Sequence, residues 1–92
     1  MISACFNKGE IRRFEFVVLN ESANAVCVIT RANWTLIEKE TTEIVASAYC
    51  SVEENKIEAI VPLNTDGIYI LEVTAEVPPE ILKERIEFKV TG

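Results

Sequence analysis

The run Leu63-Asn64-Thr65-Asp66-Gly67-Ile68-Tyr69-Ile70-Leu71-Glu72-Val73 constrains this chain more than any other stretch. Asp66-Gly67 carries turn chemistry, because glycine takes positive φ without a Cβ penalty and an aspartate side chain bonds the backbone just downstream. Past the turn, Tyr69, Leu71 and Val73 recur at period 2, so a strand running to about Val77 brings one row of large side chains into a core together.

The same alternation recurs before and after it. Ile2 to Phe6 predicts a short edge strand, closed by the turn Asn7-Lys8-Gly9-Glu10. Phe14, Phe16 and Val18 alternate with Glu15, Val17 and Leu19, which predicts a strand from Ile11 to Leu19 that Asn20-Glu21-Ser22-Ala23-Asn24 breaks. From Ala25 to Glu38 the even positions Val26, Val28, Ala32, Trp34 and Leu36 are apolar; one long strand explains them, bulged near Arg31 to Asn33. Ile44, Ala46, Ala48, Cys50 and Val52 continue the even parity on a further strand. A helix competes there, since Ala46 and Ala48 are good helix formers, but the period-2 pattern is the cleaner one. After a hairpin turn at Glu53-Glu54-Asn55-Lys56, Ile57, Ala59, Val61 and Leu63 are expected inside, with Glu58 and Ile60 outside. Pro62 lacks an N–H for the ladder and belongs at a strand end or an unpaired edge. Beyond Val77-Pro78-Pro79-Glu80, Leu82, Ile86, Phe88 and Val90 alternate with Lys83, Arg85, Glu87 and Lys89 as a last strand, although Ile81 to Arg85 also fits a short helical turn. Six to seven short strands without a helical period predict an all-β, antiparallel β-sandwich in a single domain over residues 1–92.

Composition removes whole classes of function. The formal net charge is −6 and the nine basic residues are scattered, so a nucleic-acid backbone would be repelled. No histidine occurs anywhere. That removes Ser-His and Cys-His nucleophile pairs, histidine metal ligands, and the side chain best suited to proton transfer near neutrality. No glycine-rich phosphate loop is present either, so no enzyme, cofactor or small-molecule substrate is expected. Cys5, Cys27 and Cys50 are three in number and widely spaced, which fits neither a CxxC metal knuckle nor a paired disulfide framework; buried reduced thiols are the plain expectation. Ile2-Ser3-Ala4-Cys5 looks like a lipoprotein cleavage box but lacks the charged leader and apolar run of a signal peptide. Asn20-Glu21-Ser22 and Asn33-Trp34-Thr35 match the glycosylation pattern as short chance matches. No apolar run reaches membrane-spanning length, and synthesis in a cytoplasm without a signal peptide is expected.

Gly67-x-Tyr69-x-Leu71, after a Leu63 that ends the preceding strand, resembles the tyrosine corner of immunoglobulin-like domains, and Trp34 resembles their central tryptophan. The strand from Ile11 to Leu19 has no cysteine, so the resemblance carries no antibody-type disulfide. Lys8-Gly9-Glu10, Phe14 to Leu19, Gly67 to Val73 and Arg85-Ile86-Glu87-Phe88-Lys89-Val90 are similar, more loosely, to small Ig-like proteins of bacteriophage baseplates, tails and heads. That resemblance implies an Ig-like fold and a structural part of a virion.

Tyr69 is expected in the core with its hydroxyl tied to a corner backbone, and Trp34 inward by its parity with Val26, Val28 and Leu36. Asp66 reads as turn chemistry rather than a Ca²⁺ ligand, since only Asn64 accompanies it in that loop. The remaining signal is apolar residues on the outward parity: Val17, Leu19, Ile29, Ile37, Val45, Tyr49, Ile60, Ile68 and Ile70. A small two-layer sandwich buries one face of each sheet, so such a row needs a cover. The expected interface residues are Ile60, Ile68, Ile70, Ile29, Ile37 and Tyr49, burying ~800 Å² per partner against another copy or a larger protein assembly. The resulting expectation is a non-enzymatic assembly module. The alternatives are an acidic inhibitor of a host enzyme, signalled by Glu clustered on one surface, and a carbohydrate-binding or adhesive module, signalled by an outward Trp34 beside Tyr49.

Overall fold

The computed structural model describes residues 4–18 and 28–92. Its strands are β1 (Ala4–Asn7), β2 (Ile11–Val17), β3 (Arg31–Glu38), β4 (Ile44–Tyr49), β5 (Ser51–Glu53), β6 (Lys56–Pro62), β7 (Gly67–Val77) and β8 (Glu80–Thr91). A five-stranded sheet in the order β1-β8-β7-β3-β4 faces a three-stranded sheet in the order β2-β6-β5. Pairing is antiparallel throughout except at the edge, where β1 runs parallel to β8. Nearly the whole chain separates those two strands, so no hairpin dictates their direction.

The inward rows build the core as their parity predicts. Ile57, Ala59, Val61 and Leu63 of one sheet meet Tyr69, Leu71, Val73, Phe88, Val90, Trp34 and Leu36 of the other, all nearly or fully buried. Phe88 sits at the centre of an aromatic group, with ring centroids 5.3 Å from Phe6, 5.6 Å from Phe14 and 6.2 Å from Tyr69. Phe14 and Phe16 pack on this core from β2. Burial of such rings, with offset and edge contacts, supplies most of what a domain this small can gain against chain entropy.

The turn ahead of β7 locks the two sheets at one end. Gly67 takes φ +149°, a conformation that strains any residue with a Cβ, and a Cβ there would lie in van der Waals contact with the Tyr69 ring. The Tyr69 hydroxyl donates to the Thr65 carbonyl at 3.0 Å and shares a 2.7 Å hydrogen bond with the Thr65 hydroxyl. Lys8 approaches Asp66 at 3.7 Å, so the carboxylate closes the turn against the β1–β2 connection.

Several expectations need correction. Of the strand predicted over Ala25 to Glu38, the structure describes strand at Arg31–Glu38, and residues 28–30 are not strand. Parity does not carry through them: Ile29, expected outside, is in the core, whereas Val28, expected inside, is exposed. The bulge lies between Leu36 and Ile37 in the β3–β4 pairing, not near Arg31. It pairs Ile44 with Ile37 and turns Ile44 to the outside, 66% exposed. The predicted strand from Ile44 to Val52 is divided. Cys50 still donates its N–H to the Ala32 carbonyl at 2.9 Å, but Ser51 already pairs with Glu58 in the other sheet. Period-2 patterning records which face a side chain takes, not which sheet the strand joins, and this split brings the strand count among the described residues to eight. Ile81 to Arg85 is strand, and its inward-parity Leu82 is 36% exposed. Cys5 alternates outward on β1 and is exposed, while Cys50 is half-buried. Ile2, Leu19, Asn20 to Asn24, Val26 and Cys27 lie outside the described residues.

Candidate interaction surface

Register across the five-stranded sheet defines the composition of its outer face row by row. One row joins Ile44 of β4, Ile37 of β3, Ile70 of β7 and Glu87 of β8. Ile68, two positions along β7, stands opposite Lys89. Ile37, Ile68 and Ile70 are half-buried and Ile44 is exposed, giving one compact apolar patch. Lys39 and Glu87, 2.8 Å apart, border it on one side, and Arg85 with Glu72, 2.6 Å apart, on the other. Lys39 holds the Glu87 carboxyl below its ordinary pKa through a hydrogen bond.

Tyr49 belongs to the same face but stands apart from the patch. It pairs with Asn33, two positions along β3 from Thr35, and is 74% exposed. Together with Arg31, Thr74, Glu76 and Ile81 it lines a shallow depression of about 250 Å³. Arg31 donates twice to Glu76, at 2.9 and 3.0 Å, a bidentate pair that raises the guanidinium pKa and lowers that of the carboxyl.

Of the six expected interface residues, the structure therefore brings together Ile37, Ile68 and Ile70. Ile60 is 45% exposed on the outer face of the three-stranded sheet, opposite Arg13 in the β2–β6 pairing, so it shares no surface with them. Ile29 is core. Residues missed by parity are Ile44, which the bulge turns outward, and the free side of β4 itself. A signal for β4 was present: Ile44-Val45-Ala46-Ser47-Ala48-Tyr49 is a strand-length run with no charge in a chain that is 26% charged.

The acidic residues are spread rather than clustered. Glu10, Glu15, Glu58, Asp66, Glu72, Glu76 and Glu87 each face a basic partner within 4 Å. Glu38, Glu40 and Glu43 sit around the β3–β4 turn, with Glu53 and Glu54 at the β5–β6 turn. Among the described residues no three His, Cys, Asp or Glu side chains converge as a metal site. Trp34 is 3% exposed, so it offers no ring to a ligand.

Two facing sheets, a tyrosine corner before the second-to-last strand and a buried tryptophan on β3 define an Ig-like β-sandwich. The fold is similar to that of CopC from Methylosinus trichosporium OB3b, with a TM-score of 0.66 and 12% sequence identity over 97% of this chain and 85% of that one. No protein-family model matches this sequence, and no curated protein matches it.

Proposed function

We propose that this protein is a non-enzymatic assembly module that acts through protein–protein contacts, with copies of itself or with a larger particle. The observation that carries this reading is the row Ile44–Ile37–Ile70, extended by Ile68, on a sheet face whose other positions are largely polar or ion-paired. A solvated sheet face has no physical need for four adjacent isoleucines, whereas a docking face gains from them. The absence of histidine from the sequence leaves no imidazole-based nucleophile or acid–base pair. The finer reading, a head or tail part of a bacteriophage virion, rests on the motif resemblance of Lys8-Gly9-Glu10, Gly67 to Val73 and Arg85 to Val90 alone.

The two alternatives have less support. An acidic decoy surface calls for unpaired carboxylates on one face, and here seven acids are ion-paired while others sit at turns. An adhesive site built on Trp34 is at odds with its burial.

Sedimentation velocity of the wild-type chain, alone and with particles purified from its host, tests the assembly reading against Ile37→Glu and Ile70→Glu variants. Loss of association in these variants, with the thermal midpoint retained, is expected. A wild-type chain that neither self-associates nor co-sediments would overturn the reading.

A further inference from the structure

We infer that the free edge of β4 pairs antiparallel with β4 of a second copy, joining two five-stranded sheets into one continuous sheet. This rests on the assembly reading and gives it a partner and a geometry.

The four edges of the sandwich are not alike. β1 has four residues and β5 has three, too short to template much pairing. β2 has seven residues but carries Arg12, Arg13 and Glu15, and self-pairing would set like charges close together. β4 has six residues, no charge and no proline, and five of the six are exposed. Natural sheets guard an edge by shortness, charge, proline or cover, and β4 has none of these beyond the bulge at one end.

The hydrogen-bond phase of β4 defines what it offers. Because Cys50 donates to Ala32, Ala48 and Ala46 direct their N–H and C=O groups into the ladder with β3, and the bulge reverses that phase toward Ile44. Ser47 and Tyr49 therefore direct theirs outward. A two-fold axis normal to the sheet keeps the outer face of both copies on the same side, so paired residues must have the same parity. Centring the axis on Ser47 pairs Ser47 with its own copy and Ala46 with Ala48 of the other, which keeps the paired stretch clear of the bulge. It also brings the Glu43 end of one strand toward the end of the other that lies beside Arg31 of β3, where Arg31 is already neutralised by Glu76. In this arrangement the two isoleucine patches lie on one continuous face. A six-residue strand is ~20 Å long, which places the contact at the low end of interface sizes, under ~1,200 Å² in total, and makes the association concentration-dependent.

The test combines sedimentation equilibrium over a concentration series with cross-linking. Wild-type mass is expected to rise toward that of a dimer. Ser47→Pro removes an N–H that β3 does not use, so it should keep the fold, read by circular dichroism, and lose the dimer. In an antiparallel pair centred on Ser47 the two Cα atoms lie ~5.5 Å apart, within disulfide reach, so Ser47→Cys should oxidise to dimer at least ~10-fold faster than Arg13→Cys on the guarded edge. If Ser47→Pro fails to fold, the cysteine comparison decides. A wild-type monomer throughout, a folded Ser47→Pro that still dimerises, or equal cross-linking of the two edges overturns the inference. Dimerisation abolished by Ile70→Glu but untouched by Ser47→Pro would leave the assembly reading standing and remove the β4 edge from it.

Discussion

β7 and β4 flank the same strand, β3, and have opposite environments. Along β7 every second residue is buried, with Tyr69, Leu71, Val73 and Ala75 at 4% exposed or less. Along β4 the same kind of alternation leaves only Ala46 half-buried, and Ile44 and Tyr49 are among the most exposed large side chains described. Apolar alternation thus records which face a side chain takes, not how deeply it is buried. Burial comes from position in the sheet, since β7 lies between two strands and faces the second sheet, while β4 has one neighbour and only small inward residues.

Substitutions matched across the two strands test that contrast. Leu71→Ala leaves a cavity at a site with no exposure and should cost ~3 to 4 kcal/mol by chemical denaturation. Ile44→Ala, at 66% exposure, should cost less than ~1 kcal/mol in the same assay. Equal costs would mean that β4 is covered in solution and would sharpen the case for a partner on it.

A smaller difference separates the two tyrosines. Tyr69→Phe forfeits the corner hydrogen bonds to Thr65 and should cost ~1 to 2 kcal/mol. Tyr49→Phe, on the exposed edge, should leave the denaturation midpoint unchanged.

Cysteine chemistry gives the next step down in effect. Burial pushes the Cys50 thiol, where the chain leaves β4 for β5, from 9.0 up to about 11. Alkylation near pH 8 should therefore label the exposed Cys5 well before Cys50, as peptide mass spectrometry would show. The linkage has a definite sign: the folded chain keeps this proton while the unfolded chain loses it. Its contribution is present below pH 9 and is lost as pH rises toward 11.

The smallest effect is expected at the Arg31–Glu76 pair beside Tyr49. Arg31 holds the Glu76 carboxyl below its ordinary 4.5, so the contribution is present above that pH and is lost as acid titrates the folded carboxylate. Glu76→Gln should lower the thermal midpoint slightly at pH 7, and the difference from wild type should fade below pH 4 and in high salt.

Much of the sandwich was legible because its rows are written at period 2. Tyr69, Leu71 and Val73, the inward row from Ile57 to Leu63, and Trp34 with Leu36 all lie where alternation puts them. The corner was legible too, because Gly67 and Tyr69 carry its chemistry locally. The surface was harder to read. Ile60 and Ile70 share an outward parity and lie on different sheets, and Ile29 has that parity without being in a strand. Outward parity alone cannot say which sheet a residue belongs to.

What the sequence determined by itself is the all-β class, the core rows and the corner that locks them, because each follows from near-neighbour sterics and side-chain alternation. The tertiary structure decided how strands are shared between sheets, where the bulge turns Ile44 outward, and that the uncharged β4 lies at an edge. These depend on pairing between residues distant in the chain, and a single strand's pattern does not encode its neighbours.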